Sequence, residues 1–202
     1  NEALPQINVD QVYSEYGLTG KDIHIAVLDT GIDTDHIDLS DSVESQACFA
    51  DFCPNGADNA EDDNGHGTHV SGIISSAGVS SSAGVARNTR IHAIKVLDSS
   101  NGFSSSSIII EALDHVINNL PQVNLVNMSL GTFDRFESFC DQQNIYTRAF
   151  ATAINTLRDR GTLSFVASMN NASSNSISAP ACIFNAISVG AVWDSNPSSF
   201  NG

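Results

Sequence analysis

The stretch "HIAVLDTG", His24 to Gly31, decides the fold. A short apolar, partly β-branched run ends on an acid, Asp29, and a Thr-Gly turn. That is the profile of a short strand. The runs "IHAIKVL" (91–97), "VNLVNMSL" (123–130), "LSFVAS" (163–168) and "NAISVGAV" (185–192) have the same character. Helical patterns lie between them, beginning with "HGTHVSGIISS" (66–76). "SIIIEALDHVINNL" (107–120) sets Ile109, Leu113, Val116, Ile117 and Leu120 at helical spacing. "YTRAFATAINTLRDRG" (146–161) closes on basic residues and a glycine, a carboxyl-terminal helix signal. Strand alternating with helix predicts an α/β fold with a mostly parallel β-sheet flanked by helices. No internal repeat or linker divides the chain, so residues 1–202 read as a single domain. The serine-rich "SSNGFSSSS" (99–107) and "VSSSAG" (79–84) read as loops.

Composition narrows the function classes. Eight basic residues against 23 acidic ones leave a formal charge of −15. That surplus argues against a nucleic-acid partner and against anionic membrane surfaces. No apolar run reaches membrane-spanning length, and "NEALPQINVD" at the amino end has the look of a mature, processed start. Cys48, Cys53, Cys140 and Cys182 are an even set without a C-x-x-C pair, which favours disulfides over zinc and an extracellular, oxidising setting. Cys48 with Cys53 across "CFADFC" and Cys140 with Cys182 is one of three possible pairings.

The chemistry gathers at strand ends. In a parallel sheet, ligands and reacting groups collect beyond the carboxyl ends of the strands. Asp29, the segment around Ser129 and Gly131, and Asn170 all follow strands here. "NGHGTHVSGI" (64–73) adds a histidine, His66, at a helix start, with His69 one turn inside and read as a packed helix residue. A histidine acting as general base needs a carboxylate on one ring nitrogen and a nucleophile on the other. Asp29 is the candidate carboxylate. A metal pair of His66 and His69 lacks a glutamate between them, and a single D-T-G does not make an aspartic protease.

Taken in order, "VLDTGID", "NGHGTHVSGI", "VNMSLG" and "FVASMNNAS" resemble the subtilisin-type serine proteases along the whole chain from Leu4 to Gly202. The resemblance implies that Asp29 orients and stabilises the imidazolium of His66, the general base. It implies that Asn170 donates its amide to the oxyanion of the tetrahedral intermediate. Gly102, Phe103 and Ser104 would form an edge pairing with extended polypeptide substrates. Ser129, Leu130 and Gly131, with Ala167, Ser168 and Met169, would wall the pocket for the residue before the scissile bond. Met169 stands where the family has glycine, so a preference for small or medium side chains is expected.

The family's Gly-Thr-Ser-Met-Ala nucleophile motif is not in this sequence. The expected reading is therefore the amino-terminal portion of a secreted serine endopeptidase, incomplete at its carboxyl end. Its triad serine would lie outside the 202 residues, which alone would be inactive, and a carboxyl-terminal fragment or propeptide would be a partner. The competing reading is an inactive binding module of the same fold. A third, an acidic calcium-binding adhesion or structural domain, leaves "NGHGTHVSGI" unexplained. The family also carries structural calcium, an ion wanting oxygen ligands. Asp58, Asp62 and Asp63 are the expected ligands, with Asp38 or Asp41 joining from the earlier loop. The loop 75–84 is short of carboxamide ligands.

Overall fold

The computed structural model of the chain describes residues 3–191. Five of its strands are those expected: β1 (His24–Asp29), β3 (Arg90–Lys95), β4 (Leu125–Met128), β6 (Leu163–Ala167) and β8 (Ile187–Val189). The end of the expected 185–192 strand, Val192, lies outside the described residues, as does the segment 193–202. A sixth strand, β2 (Val43–Cys48), joins them, and all six form one sheet in the order β2-β3-β1-β4-β6-β8. Every pairing in it is parallel. Two short strands, β5 (Arg135–Phe136) and β7 (Ile177–Ser178), pair antiparallel away from it.

The expected helices appear as α3 (His66–Ser75), α4 (Ser106–Asn119) and α5 (Ile145–Asp159). Their ends follow from the sequence. The Ser105 hydroxyl accepts the Ser107 amide at the start of α4, and Asn144 and Thr147 form a reciprocal capping box at the start of α5. The Arg160 guanidinium donates to the Val116 and Ile117 carbonyls at the end of α4, satisfying acceptors that the helix leaves over. Two amino-terminal helices, α1 (Ala3–Gln6) and α2 (Val9–Tyr16), precede the sheet.

The two faces of the sheet are covered differently. On one, Ala26, Leu28, Ile94, Val126, Met128 and Val166 pack against α4 and α5, where Ile109, Leu113, Phe150, Ile154 and Leu157 are fully buried. Each such side chain contributes about 1.5–3 kcal/mol by leaving water. On the other, Ile25, Val27, Ile91 and Ala93 meet Val70 and Ile74 of α3. β1 and β3 are thus buried along nearly their whole length. β4 and β6 instead alternate between buried and half-buried residues. Parallel strands covered on both faces read as continuous burial. Leu163, Phe165 and Ala167 remain half-buried on the second face.

The chain order positions a site. From β1 the chain goes to the edge strand β2 and returns to β3 beside β1, then crosses over to β4 and builds outward on the other side. The crevice beyond the carboxyl ends of β1 and β4 is the switch point at which such sheets bind ligands.

Candidate active site

Asp29 ends β1 at that crevice and is fully buried. Its Oδ1 accepts from His66 Nδ1 at 2.7 Å and from the Thr30 amide at 2.7 Å. Burial pushes its carboxyl above the ordinary aspartate range, and the hydrogen bonds from His66 and Thr30 offset only part of that rise. Its Oδ2 has no hydrogen-bond partner among the described residues. The His66 side chain is about one-third exposed (35%). Its Nε2 has no partner among the described residues. One ring nitrogen is therefore held by a buried acid while the other faces outward, the arrangement that a general base requires.

The start of α3 is built for close approach. A β-carbon at position 67 would stand 2.1 Å from the Gly31 carbonyl oxygen and 3.1 Å from Asp29 Oδ1, so only glycine fits directly behind His66. Gly65, the residue ahead of the helix, supplies no capping side chain. Other residues take up the free amides at this helix end. Gly67 donates to Thr30 Oγ1 at 2.9 Å, Thr68 to Asp62 Oδ2 at 3.0 Å and Gly65 to Asp62 Oδ1 at 2.9 Å. Thr30 Oγ1 in turn donates to Asp62 Oδ1 at 2.8 Å. Thr30 and Asp62 thereby clamp the turn carrying Asp29 to the helix carrying His66.

Asp62 is thus a hub rather than a free ligand. Burial raises its carboxyl, but hydrogen bonds from Gly65, Thr68 and Asn64 outweigh that and hold it below the usual range. Asp63 pairs with Lys95 at 2.6 Å, and Asp58 lies in the exposed 54–59 turn. The structure does not bring Asp58, Asp62 and Asp63 together, and among the described residues no cluster of three or more acidic, His or Cys side chains is placed to hold a metal. Asp38 is spent similarly. It accepts from the Val79, Ser80 and Ser81 amides and from the Ser80 and Ser81 hydroxyls. Those bonds, led by the Ser80 hydroxyl, hold its carboxyl well below the usual range. Asp41 contributes its backbone carbonyl to Arg90. Donors of the protein thus engage the carboxylates of Asp38 and Asp62, Asp63 is paired with Lys95, and no chemical step below involves calcium.

The remaining site residues fall on the neighbouring strands. Ser129, Leu130 and Gly131 follow β4, and Ala167, Ser168, Met169 and Asn170 complete and follow β6, one strand further from β1. Asn170 is exposed. Met169 has φ 73°, a left-handed backbone that L residues rarely adopt, and its side chain lies across Gly131. A β-carbon at 131 would be 2.7 Å from Met169 Cγ. The two expected pocket walls therefore touch through this thioether. Gly102, Phe103 and Ser104 form a loop leading into α4 rather than a paired strand. The Asp98 amide donates to the Gly102 carbonyl, the Gly102 amide donates back to Asp98 Oδ1 at 3.0 Å, and the Ser104 amide donates to Asp51 at 2.9 Å.

His69 is exposed in α3 rather than packed, and with His36 and Asp33 it lines a cavity of about 760 Å³ that Asp29 does not reach. The cysteines pair as Cys48–Cys53 and Cys140–Cys182. No described helix is long and apolar enough to cross a membrane.

The chain is similar to known proteins in sequence and in fold. The profile of the subtilase family matches residues 20–202. An alkaline protease of Alkalihalobacillus alcalophilus is 38% identical over 181 residues, which are 89% of this chain and 42% of that protein. Subtilisin Savinase of Lederbergia lenta is 37% identical over 89% of the chain and 59% of its own length. Among solved structures, Sphericase superposes with a TM-score of 0.71 at 31% identity, covering 89% of this chain and 58% of its own. The chain thus spans about half the length of these relatives.

Proposed function

The chain belongs to the subtilase family, and from that premise we propose that it is the amino-terminal portion of a secreted serine endopeptidase. The observation that carries this reading is the 2.7 Å bond from His66 Nδ1 to the buried Asp29, with the opposite edge of the imidazole turned outward. In this reading His66 Nε2 takes the proton of a serine hydroxyl supplied by a segment outside the 202 residues. The serine oxygen bonds to the peptide carbonyl carbon, and Asp29 stabilises the imidazolium that results. Asn170 donates its amide to the oxyanion. The imidazolium then passes its proton to the leaving amine as the C–N bond breaks, and water reverses the sequence to free the acyl group.

The half-covered sheet supports the same proposal. β4 and β6 bury one face fully and the other only in part. A covering element that also brings the serine to His66 would complete both the core and the triad. That element would come from a carboxyl-terminal continuation or an associated fragment, and a propeptide would be a further partner. Extended polypeptides would be the substrates, pairing alongside Phe103. Met169, lying across Gly131, would narrow the pocket and favour small or medium residues before the scissile bond. The two disulfides favour an extracellular location.

The test is fluorophosphonate labelling of the native protein, followed by denaturing mass spectrometry of every polypeptide present. A phosphonylated serine on a continuation or associated fragment is the expected result. A homogeneous, folded 202-residue chain that takes no label would refute the reading and favour a peptide-binding module on the same fold.

A further inference from the structure

We propose that Lys95 is a positioning residue for the Asp29–His66 pair, a role that rests on that pair acting as the general base. Lys95 closes β3 directly opposite Asp29 in the parallel register, and its side chain is wholly buried. Ile91 and Ala93, four and two residues earlier on the same face of the strand, pack toward α3. Lys95 shares that face, so its ammonium lies between the sheet and the segment leading into α3. Nζ donates to the Thr30 carbonyl at 2.5 Å and to Asp63 Oδ1 at 2.6 Å.

Those two acceptors belong to the two segments whose relative placement sets the site. Thr30 directly follows Asp29, and Asp63 lies three residues before His66. One cation therefore ties the carboxylate turn to the imidazole loop. It does so independently of the Thr30–Asp62 clamp, which joins the same segments through neutral donors. An ammonium taken wholly out of water is unfavourable unless it is paired and hydrogen-bonded. Both of its partners here sit beside the site rather than across the core, and the Asp63 side chain remains about one-third exposed (34%). A lysine serving packing alone would be replaced without loss by an apolar residue of similar length. A lysine that sets the spacing between two segments would not.

The experiment uses the native protein, together with any continuation or associated fragment it carries, and needs no turnover. In ¹⁵N-labelled protein, the His66 Nδ1 proton bound to Asp29 gives a far-downfield resonance, and the ring nitrogen shifts report the tautomer. Asp29→Asn serves as the control that assigns the resonance. Lys95→Met is expected to keep the circular dichroism of the wild type while losing or broadening the resonance and mixing the tautomers. Lys95→Arg, which retains the charge and the donors, is expected to restore it. If Lys95→Met does not fold, Asp63→Ala, at a partly exposed position, carries the same contrast. A folded Lys95→Met or Asp63→Ala with an unchanged resonance and tautomer would overturn the positioning role and leave the protease reading standing. A wild-type chain without the resonance would overturn both.

Discussion

Reducing the Cys140–Cys182 bridge is expected to destabilise the fold about twice as much as reducing Cys48–Cys53. The two bridges close loops of very different length, with sequence separations of 42 and 5 residues. A cross-link stabilises chiefly by restricting the unfolded chain, and the restriction grows with the logarithm of the loop it closes. For 42 residues that relation gives about 4 kcal/mol at 25 °C, and for 5 residues about 2 kcal/mol. Both values are large against a typical domain stability of about 5–15 kcal/mol.

The longer loop holds α5, β6 and Asn170, so its release also loosens the strand end that carries the proposed oxyanion donor. Two variants isolate each bridge: Cys48→Ala with Cys53→Ala retains the long one, and Cys140→Ala with Cys182→Ala retains the short one. Urea unfolding of each variant, oxidised and then reduced, measures the cross-link at constant sequence. Hydrogen exchange over residues 163–170 should rise only when the long bridge is opened. Equal losses for the two bridges, or a greater loss for the short one, would refute the loop-length reasoning.

Acid should weaken the fold through His92. This residue is buried, accepts or donates at Ser45 (2.6 Å) and at His24 (3.1 Å), and faces Glu44 and His115. Burial, aided by repulsion from His24, lowers its pKa to about 4. An unfolded chain with an ordinary value near 6.5 binds the proton first, so stability is complete above about pH 6.5 and falls as pH drops towards 4. The loss is on the order of 3 kcal/mol. His115, lowered by burial, acts in the same direction. His92→Gln should flatten the urea midpoint between pH 7 and 4, and an unchanged slope would refute the assignment. Asp29→Asn should stabilise the chain at pH 7 by on the order of 1 kcal/mol, because it removes a buried charge with one unpaired oxygen. Since burial raises the carboxyl of Asp29, the advantage should shrink as acid protonates the wild type, and a loss of stability at pH 7 would contradict it. In the catalytically complete protein, Met169→Gly should raise cleavage after phenylalanine relative to alanine by about tenfold or more. Wild-type rates after bulky aromatics that equal those after alanine would refute the narrowed pocket.

What the sequence disclosed depended on whether the signal was local. β1, α3, α4 and α5 follow from runs whose periodicity and end residues are contiguous. Asp29 and His66 stood out because each sits at a strand or helix junction. The edge strand β2, "VESQAC", is not legible in the sequence because its polar outer half has no alternation to read, its burial beginning only at Ala47 and Cys48. Asp62 looked like a metal ligand because neighbouring acids suggest one. Its actual donors arrive from Thr30, 32 residues earlier, and from Thr68 in the next helix. The sequence does hold a signal for Lys95: a lone cation within the apolar run "IHAIKVL" must find a partner wherever the strand is buried.

The burial pattern of the sheet joins these observations. β1 and β3 are closed on both faces because α3 lies over one and α4 and α5 over the other. The site is accordingly firm where those strands end: Asp29 is buried, its turn is clamped by Thr30 and Asp62, and Lys95 anchors it from behind. β4 and β6 are closed on one face only, and the residues that follow them, Ser129 to Gly131 and Met169 to Asn170, are the more exposed half of the crevice. In the proposed mechanism, proton transfer from a serine to His66 Nε2 would require an element on this open side. Burial of Leu163, Phe165 and Ala167 requires one as well. A single apolar helix meeting both demands would close the core and the reaction site together, and for that reason the proposed nucleophile is sought on a packed helix rather than on a loop.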